Sequence, residues 1–330
     1  IYFLEGMIKV DVVVVGGGLS GAITALSSAG FGFSVCVVDK SEAPLKTGVS
    51  FDGRSYAVAH SSMRMLRNLG IWQDLQKTSE PILDIKISNG LLGEVPSPFN
   101  LHFDHHDLEE GPMGYMVEDK NLRSSLRTHI CKNGNITYLD QSAIEKCDIN
   151  TSGIKLFLRG EVNKLEAQLV ISADGRKSSF AKGFGISYTG WEYAQTALVC
   201  ALCHEKPHNG IAYQHFMPPG PIAILPLKGN RSSIVWTETP PNGLYMMGLT
   251  DHAYLDVLRP RLGNFLGEIK LNGQRFSYPL EMSIAKSLIA DRLALVGDAA
   301  HGMHPIAGQG LNAGLRDIAA LSQVIKEGRD

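Results

Sequence analysis

The chain has 330 residues, a formal net charge of −2, 44% hydrophobic residues and 19% charged ones. That length can bury a full core, as two domains or as one large domain with an inserted layer, and the lack of any lysine or arginine block excludes the concentrated positive footprint of a nucleic-acid partner. Five cysteines, Cys36, Cys131, Cys147, Cys200 and Cys203, are an odd number dispersed along the chain, as expected for reduced thiols in the cytoplasm, and the strongest apolar run, near Val12, is too short to cross a bilayer.

The opening IYFLEGM reads as a disordered or expression-derived leader. Val10 to Gly21, VDVVVVGGGLSG, then reads as a buried parallel strand, a glycine turn and the start of a helix over Ser20 to Ala29. Gly16, Gly18 and Gly21 fit G-x-G-x-x-G, in which the first glycine permits the tight turn, the second lets a pyrophosphate approach and the third lets helix and strand pack closely. Helix N-terminal N–H groups would carry the phosphate charge. A second strand, Phe33 to Asp39, ends in a carboxylate placed to accept the ribose hydroxyls of an adenosine. The alternative is a merely structural glycine turn.

Residues 41 to 52 read as a polar loop, Arg54 as a side chain able to reach a phosphate or ring system, and Tyr56 to Gly70 as a helix. Ile82 to Ser88 alternates like a half-buried strand, which suits an antiparallel substrate-facing layer better than a doubly wound parallel sheet. Leu101 to Gly114 carries His102, His105 and His106 near Asp104 and Asp107; with no tight ligand pair of the H-E-x-x-H kind, it reads as a solvated loop and no metal is expected. Leu122, Leu126 and Ile130 share one face of a helix over Asp119 to Lys132. Ile136 to Leu139, Ala143 to Asp148, Ile154 to Leu158 and Leu165 to Ser172 read as an antiparallel meander leading to Ala173-Asp174-Gly175-Arg176-Lys177-Ser178, a turn that could bring a carboxylate to a ribose or pyrophosphate.

Cys200-Ala-Leu-Cys203-His204 matches a haem-attachment pattern, but thiols at i and i+3 of a strand point to opposite faces, so buried inert cysteine is the expectation. FMPPGPIAILPL, Phe216 to Leu227, reads as an edge strand or inter-domain crossing, Pro240 to Gly243 as a turn, and residues 251 to 271 as a helical region interrupted by Pro260. The stretch Gln195 to Tyr278 is expected to cover a substrate. Arg292 to Asp298 is a strand ending at Gly297-Asp298; a glycine-rich loop through His301, His304, Pro305 and Gly308 then feeds a helix from Gln309 toward Lys326, whose N-terminus suits negative charge. His301 and His304 lack a third ligand for a metal.

Three separated blocks, GGGLSG at 16 to 21, ADGRKS at 173 to 178 and GDAAHGMHPIAGQGLN at 297 to 312, resemble the class A flavoprotein monooxygenases of the para-hydroxybenzoate hydroxylase type. DGRSYAVAHSSMRMLRNLGIW from 52, HNGIAYQHFMPPGPIAILPL from 208 and YPLEMSIA from 278 narrow the resemblance to the ubiquinone-biosynthesis hydroxylases, the UbiH, UbiF and COQ6 group, over nearly the whole chain. The resemblance implies an α/β fold: a Rossmann-like FAD-binding domain over 7–80, 115–180 and 280–330, interleaved with an antiparallel-sheet substrate domain over 81–114 and 181–279, with a C-terminal helical region truncated at Asp330. It implies FAD, NADH or NADPH as donor, O2, and hydroxylation of an aromatic ring through a C4a-hydroperoxyflavin. By position, Gly16, Gly18 and Gly21 would hold the pyrophosphate, Asp39 the adenosine ribose and Arg54 the flavin side, Asp174 would serve FAD and nicotinamide use, and Leu19, Ser20 and Lys40 would be further cofactor-binding positions. Gly297 and Asp298 would meet the ribityl-phosphate part, the backbone of Gly310, Leu311 and Asn312 the pyrimidine edge, and Pro305, Gly308 and Gln309 the ring face, with no dedicated base. Asp119 and Lys120 depart from the amide or arginine common in relatives.

The expected substrate is a prenylated phenol of ubiquinone biosynthesis. A peripheral membrane contact and a quinone-synthesis complex are compatible with that reading. A flavin monooxygenase of a soluble aromatic compound and a noncatalytic flavin-binding subunit of such a complex are the alternatives. A two-nucleotide reductase is disfavoured, because no second full G-x-G-x-x-G follows a strand.

Overall fold

The computed structural model describes residues 2–4, 7–42, 53–90, 100–108, 111–160 and 164–328, so most of the loop expected at 41 to 52 lies outside the described residues. Val12–Val15 is the middle of a six-stranded sheet. Val35–Val38 and then Ile136–Leu139 pair parallel on one side of it, and Leu169–Ser172 and then Leu293–Leu295 pair parallel on the other. Val12, Val13, Val14 and all of Val35–Val38 are buried, which explains the loss of alternation in these strands. The Leu19–Gly30 helix and the C-terminal Gln309–Glu327 helix pack against each other on one face, where Ser27 Oγ and Ser322 Oγ lie 2.8 Å apart.

The meander is shorter than expected. Ile144–Asn150, Gly153–Leu158 and Lys164–Ala167 are antiparallel, but Ile136–Leu139 and Leu169–Ser172 belong to the parallel sheet. The chain switches sheets at Gln168, whose N–H donates to Asp11 O. Contrary to a disordered leader, Tyr2–Leu4 pairs antiparallel with Met7–Lys9, which extends the meander alongside Lys164–Ala167.

Tyr56–Gly70 is not one helix: Ser55–Ala59 is a strand and the helix is His60–Asn68. Ser55–Ala59, Gly114–Glu118 and Glu80–Ile82 form a small antiparallel sheet. The alternating run after 80 divides at Leu83, because Glu80–Ile82 joins that sheet while Asp84–Asn89 joins a nine-stranded one. There Asp84–Asn89 pairs parallel with Ile211–Phe216 and antiparallel with Leu101–Asp104, so the stretch expected as a solvated loop from Leu101 begins as an edge strand.

Ile222–Leu227 is no edge; it lies between Ile211–Phe216 and Arg231–Glu238. Its pairing with Ile211–Phe216 covers only Ile222 to Ile224, so Pro226 stands where that neighbour no longer requires a ladder N–H. The Pro-Pro run at 240 starts a helix, Pro240–Gly248, as proline can at a first turn. Asp251–Leu262 tolerates Pro260 near its end, and Ile269–Leu271 is a strand. Both helices cover one face of the long Tyr188–His204 strand, burying Leu198, Cys200, Trp236, Tyr254 and Leu258 together. Cys200 is inert as expected: burial pushes its thiol up to about 12.

Candidate flavin site

The carboxyl ends of the parallel strands meet three loops. Gly16 has φ +95°, and a Cβ there would sit 2.6 Å from Ala173 O, so the first glycine turn and the Ala173-Asp174 turn touch backbone to backbone. The Asp39 carboxylate holds the turn from the other side, accepting the Gly17 N–H on Oδ2 and the Ser41 N–H at 2.7 Å on Oδ1. A carboxylate has about four lone-pair sites, so capacity for hydroxyl donors is left over. Gly16, Gly18, Asp39, Lys40 and Asp174 together line a cleft of about 700 Å³ between the parallel sheet and the meander.

Beyond Gly18 the space is open: a Cβ there meets nothing within 4 Å. A second hollow of about 350 Å³ beside Gly17 to Leu19 is walled by Arg123, Arg127 and Tyr138. Burial, then the nearby Asp39 charge, pushes the Tyr138 phenol up to about 12, so it keeps its proton. Arg123 is a site residue that sequence reasoning passed over. Its Nε donates to both oxygens of buried Asp119 at 2.9 and 2.7 Å; Tyr56 OH donates to the same carboxylate at 2.7 Å, and Arg54 Nη2 lies 3.4 Å from it. Asp119 therefore holds two guanidinium groups at the edge of this hollow. The i, i+4 spacing of Asp119 and Arg123 was the available signal.

The third loop comes from the far end of the chain. Gly297 has φ +61°, and a Cβ on it would sit 2.5 Å from Ser20 Oγ, at the start of the first helix; one on Gly314 would lie 3.0 Å from Gly297 Cα. The Gly297 N–H donates to Asp317 Oδ2 at 3.0 Å, and His301 Nε2 lies 2.7 Å from the same oxygen, a hydrogen bond that raises the His301 pKa. Asp298 is half exposed, with Arg176 Nε of the ADGRKS turn 3.6 Å away. Asn312 is consumed internally: Oδ1 accepts from Ala59 N–H at 2.9 Å, and Nδ2 donates to Ala57 O and Gly308 O at 2.8 and 3.0 Å. Only its backbone could therefore serve a ligand. A Cβ on Gly310 would also meet nothing within 4 Å, while Gly308 packs on Ala57 and Pro305 is exposed. His304 stacks edge-on against Tyr193 with centroids 5.1 Å apart.

Ala57 also packs against a cluster that joins Ile82 and Met116 of the small sheet to Ala201, Ala212 and Leu227 of the nine-stranded one. On that same sheet face, strand register aligns Phe276, Val199, Val235, Ala223, Gln214 and Ile87 in one row across six strands, all half-buried. The row makes an apolar wall with a single amide, beside the loop carrying Gly308. Among the described residues no helix is long and apolar enough to cross a membrane.

Two open glycine cradles, two helix N-termini, an acid at the end of the second strand and a pair of aimed arginines fit a flavin dinucleotide laid across the strand ends. The whole chain agrees: residues 9–327 match the FAD binding domain family. The chain belongs to the FAD-dependent monooxygenases of the ubiquinone-biosynthesis type. It is 41% identical over 313 residues to ubiquinone hydroxylase UbiL of Rhodospirillum rubrum, covering 95% of this chain and 71% of that protein. To 3-demethoxyubiquinol 3-hydroxylase of Escherichia coli it is 31% identical over 322 residues, 97% and 80% of the two chains. The fold matches that of PqsL from Pseudomonas aeruginosa in complex with 2-aminobenzoylacetate, with a TM-score of 0.81 at 19% identity over 96% of this chain and 86% of that one. These monooxygenases are class A in fold, with the substrate sheet interleaved in the FAD-binding unit.

Proposed function

We propose that this FAD-dependent monooxygenase hydroxylates the ring of a prenylated phenol on the route to ubiquinone, using NADH or NADPH and O2. The observation that carries the reading is the meeting of the Ser20 turn and the Gly297 loop, from opposite ends of the chain, beside an apolar sheet wall. When bound, FAD supplies a reducible ring at which oxygen is activated. Gly18, Leu19, Ser20 and Gly21 offer N–H groups and the helix dipole to the pyrophosphate, with Gly16 making the turn while its own N–H donates to Val38 O, and Asp39 and Lys40 take the ribose. Arg54, with Arg123 beside it, balances phosphate charge; Asp174, Gly297 and Asp298 bound the middle of the cofactor.

The helix N-terminus at Gly310, Leu311 and Asn312 presents positive dipole where a reduced ring gathers negative charge. Pro305, Gly308 and Gln309 border the ring face. The Val199 row excludes water and holds an aromatic ring with its apolar tail, and Gln214 gives that wall one orienting amide. The cofactor unit comprises 7–80, 115–180 and 280–330 and the substrate unit 81–114 and 181–279. The apolar wall favours a lipid-like phenol over a small soluble aromatic, and a membrane-surface contact would deliver it.

The test is anaerobic reduction with nicotinamide, followed by oxygen in the presence of prenylated phenols or short hydroxybenzoates, with mass analysis of the organic product. A hydroxylated prenylphenol is expected. Product from hydroxybenzoates alone would reassign the substrate, and peroxide without organic product would remove the hydroxylase reading.

A further inference from the structure

The edge of the nine-stranded sheet carries a cluster that the flavin chemistry leaves unused. Asp84 and Asp104 face each other directly across the last strand pair, an arrangement of like charges that destabilises a sheet unless a cation lies between them. His102, two residues before Asp104 and so on the same face, places Nε2 3.4 Å from Asp84 Oδ2. In the short turn that follows, His105 Nδ1 is 3.3 Å from Asp104 Oδ1 and 3.7 Å from Asp84 Oδ1. That nitrogen is closed off from solvent and makes no hydrogen bond. His106 orients Asp104, its N–H donating to Oδ1 at 2.9 Å and its Nδ1 lying 2.6 Å from the same atom.

We propose that Asp84, His102, Asp104 and His105 bind a divalent d-block cation, Zn²⁺ by its chemistry, that pins the edge strand to its neighbour. Two imidazole nitrogens and two carboxylate oxygens suit Zn²⁺ better than Ca²⁺ or Mg²⁺, which prefer oxygen alone. Bonds of about 2.0–2.1 Å at tetrahedral angles set neighbouring donor atoms about 3.3 Å apart; Asp84, His102 and Asp104 each bring a donor atom within 4.8 Å of the other two, and His105 Nδ1, 3.3 Å from Asp104 Oδ1, would close on the ion from the turn. The cation would neutralise the facing carboxylates and give the His105 nitrogen its missing partner. It would also blunt an exposed strand edge.

The FAD-loaded protein, freed of metal by chelator, is titrated with ZnCl₂ by calorimetry and with CoCl₂ by visible absorption. One Zn²⁺ per chain is expected, with a four-coordinate Co²⁺ spectrum lacking thiolate charge transfer. Asp84→Asn and His102→Ala should each weaken Zn²⁺ binding by about tenfold or more while FAD is retained, and His252→Ala, on a remote helix, should not. Equal binding by wild type and both site variants, a thiolate spectrum, or no saturable binding would overturn the proposal.

Discussion

His301 and Asp317 show how one carboxylate can fix the shape of a loop from behind. Asp317 takes both the Gly297 N–H and His301 Nε2 on one oxygen, so it fixes the turn that carries Asp298. The hydrogen bond to Asp317 raises the His301 pKa above its ordinary 6.5. A raised folded value means that the pair's contribution is complete below the unfolded pKa and is lost as pH rises through the folded one. Asp317→Asn should therefore destabilise the protein more below about pH 6 than above about pH 9 in denaturant titrations. A pH-independent loss would leave only the Gly297 bond as its role.

At the level of elements, the helix Asp119–Lys132 contributes charge through geometry that its first turn sets up. Buried Asp119 gathers Tyr56, Arg54 and Arg123, so Asp119→Ala should release both partly exposed guanidinium groups and leave the Tyr56 hydroxyl unpaired, costing about 1–2 kcal/mol in urea unfolding. Fluorescence titration should show FAD affinity falling by about tenfold, the worth of one charge-assisted hydrogen bond. The nine-stranded sheet gives a contrasting case. Val199 stands in the apolar row between Phe276 and Val235 and makes none of the hydrogen bonds that hold the cofactor loops, so Val199→Glu should leave FAD binding intact and reduce phenol-stimulated nicotinamide oxidation by about tenfold or more. Loss of FAD along with turnover would move the wall to the cofactor.

For the molecule as a whole, the decisive seam joins residues nearly 300 positions apart, Ser27 and Ser322 with their hydroxyl oxygens at 2.8 Å, and the Gly297 turn closes it. Gly314 and Gly297 pack so closely that a side chain on Gly314 would meet Gly297 Cα at 3.0 Å. Gly314→Val should push the C-terminal helix off the first one, open the Ser27 to Ser322 contact and release FAD at protein concentrations where wild type retains it. Gel filtration with absorbance at the flavin band reads this directly; a folded variant holding a full complement of FAD would show that the seam is not needed. A part-buried bridge, Arg231 Nη2 to Glu118 Oε1 at 2.6 Å, links the small sheet to the large one in the same way.

The amino-acid sequence alone determined the elements whose causes are local. The valine runs, the glycine turns and the Leu122, Leu126, Ile130 stripe announce the strands and helices they make, because periodicity and backbone permissiveness act within a few residues. Three ordered motifs then pointed to the flavin. What the chain pairs with was decided only in three dimensions. Leu169–Ser172 leaves the meander for Val12–Val15, Ile222–Leu227 becomes an interior strand despite its prolines, and Leu101–Asp104 finds Asp84–Asn89 and with it the carboxylate facing Asp104. Strand partners, shared faces and the surroundings of a charge depend on contacts between distant segments, and neither alternation nor spacing along one segment encodes which neighbour it will meet.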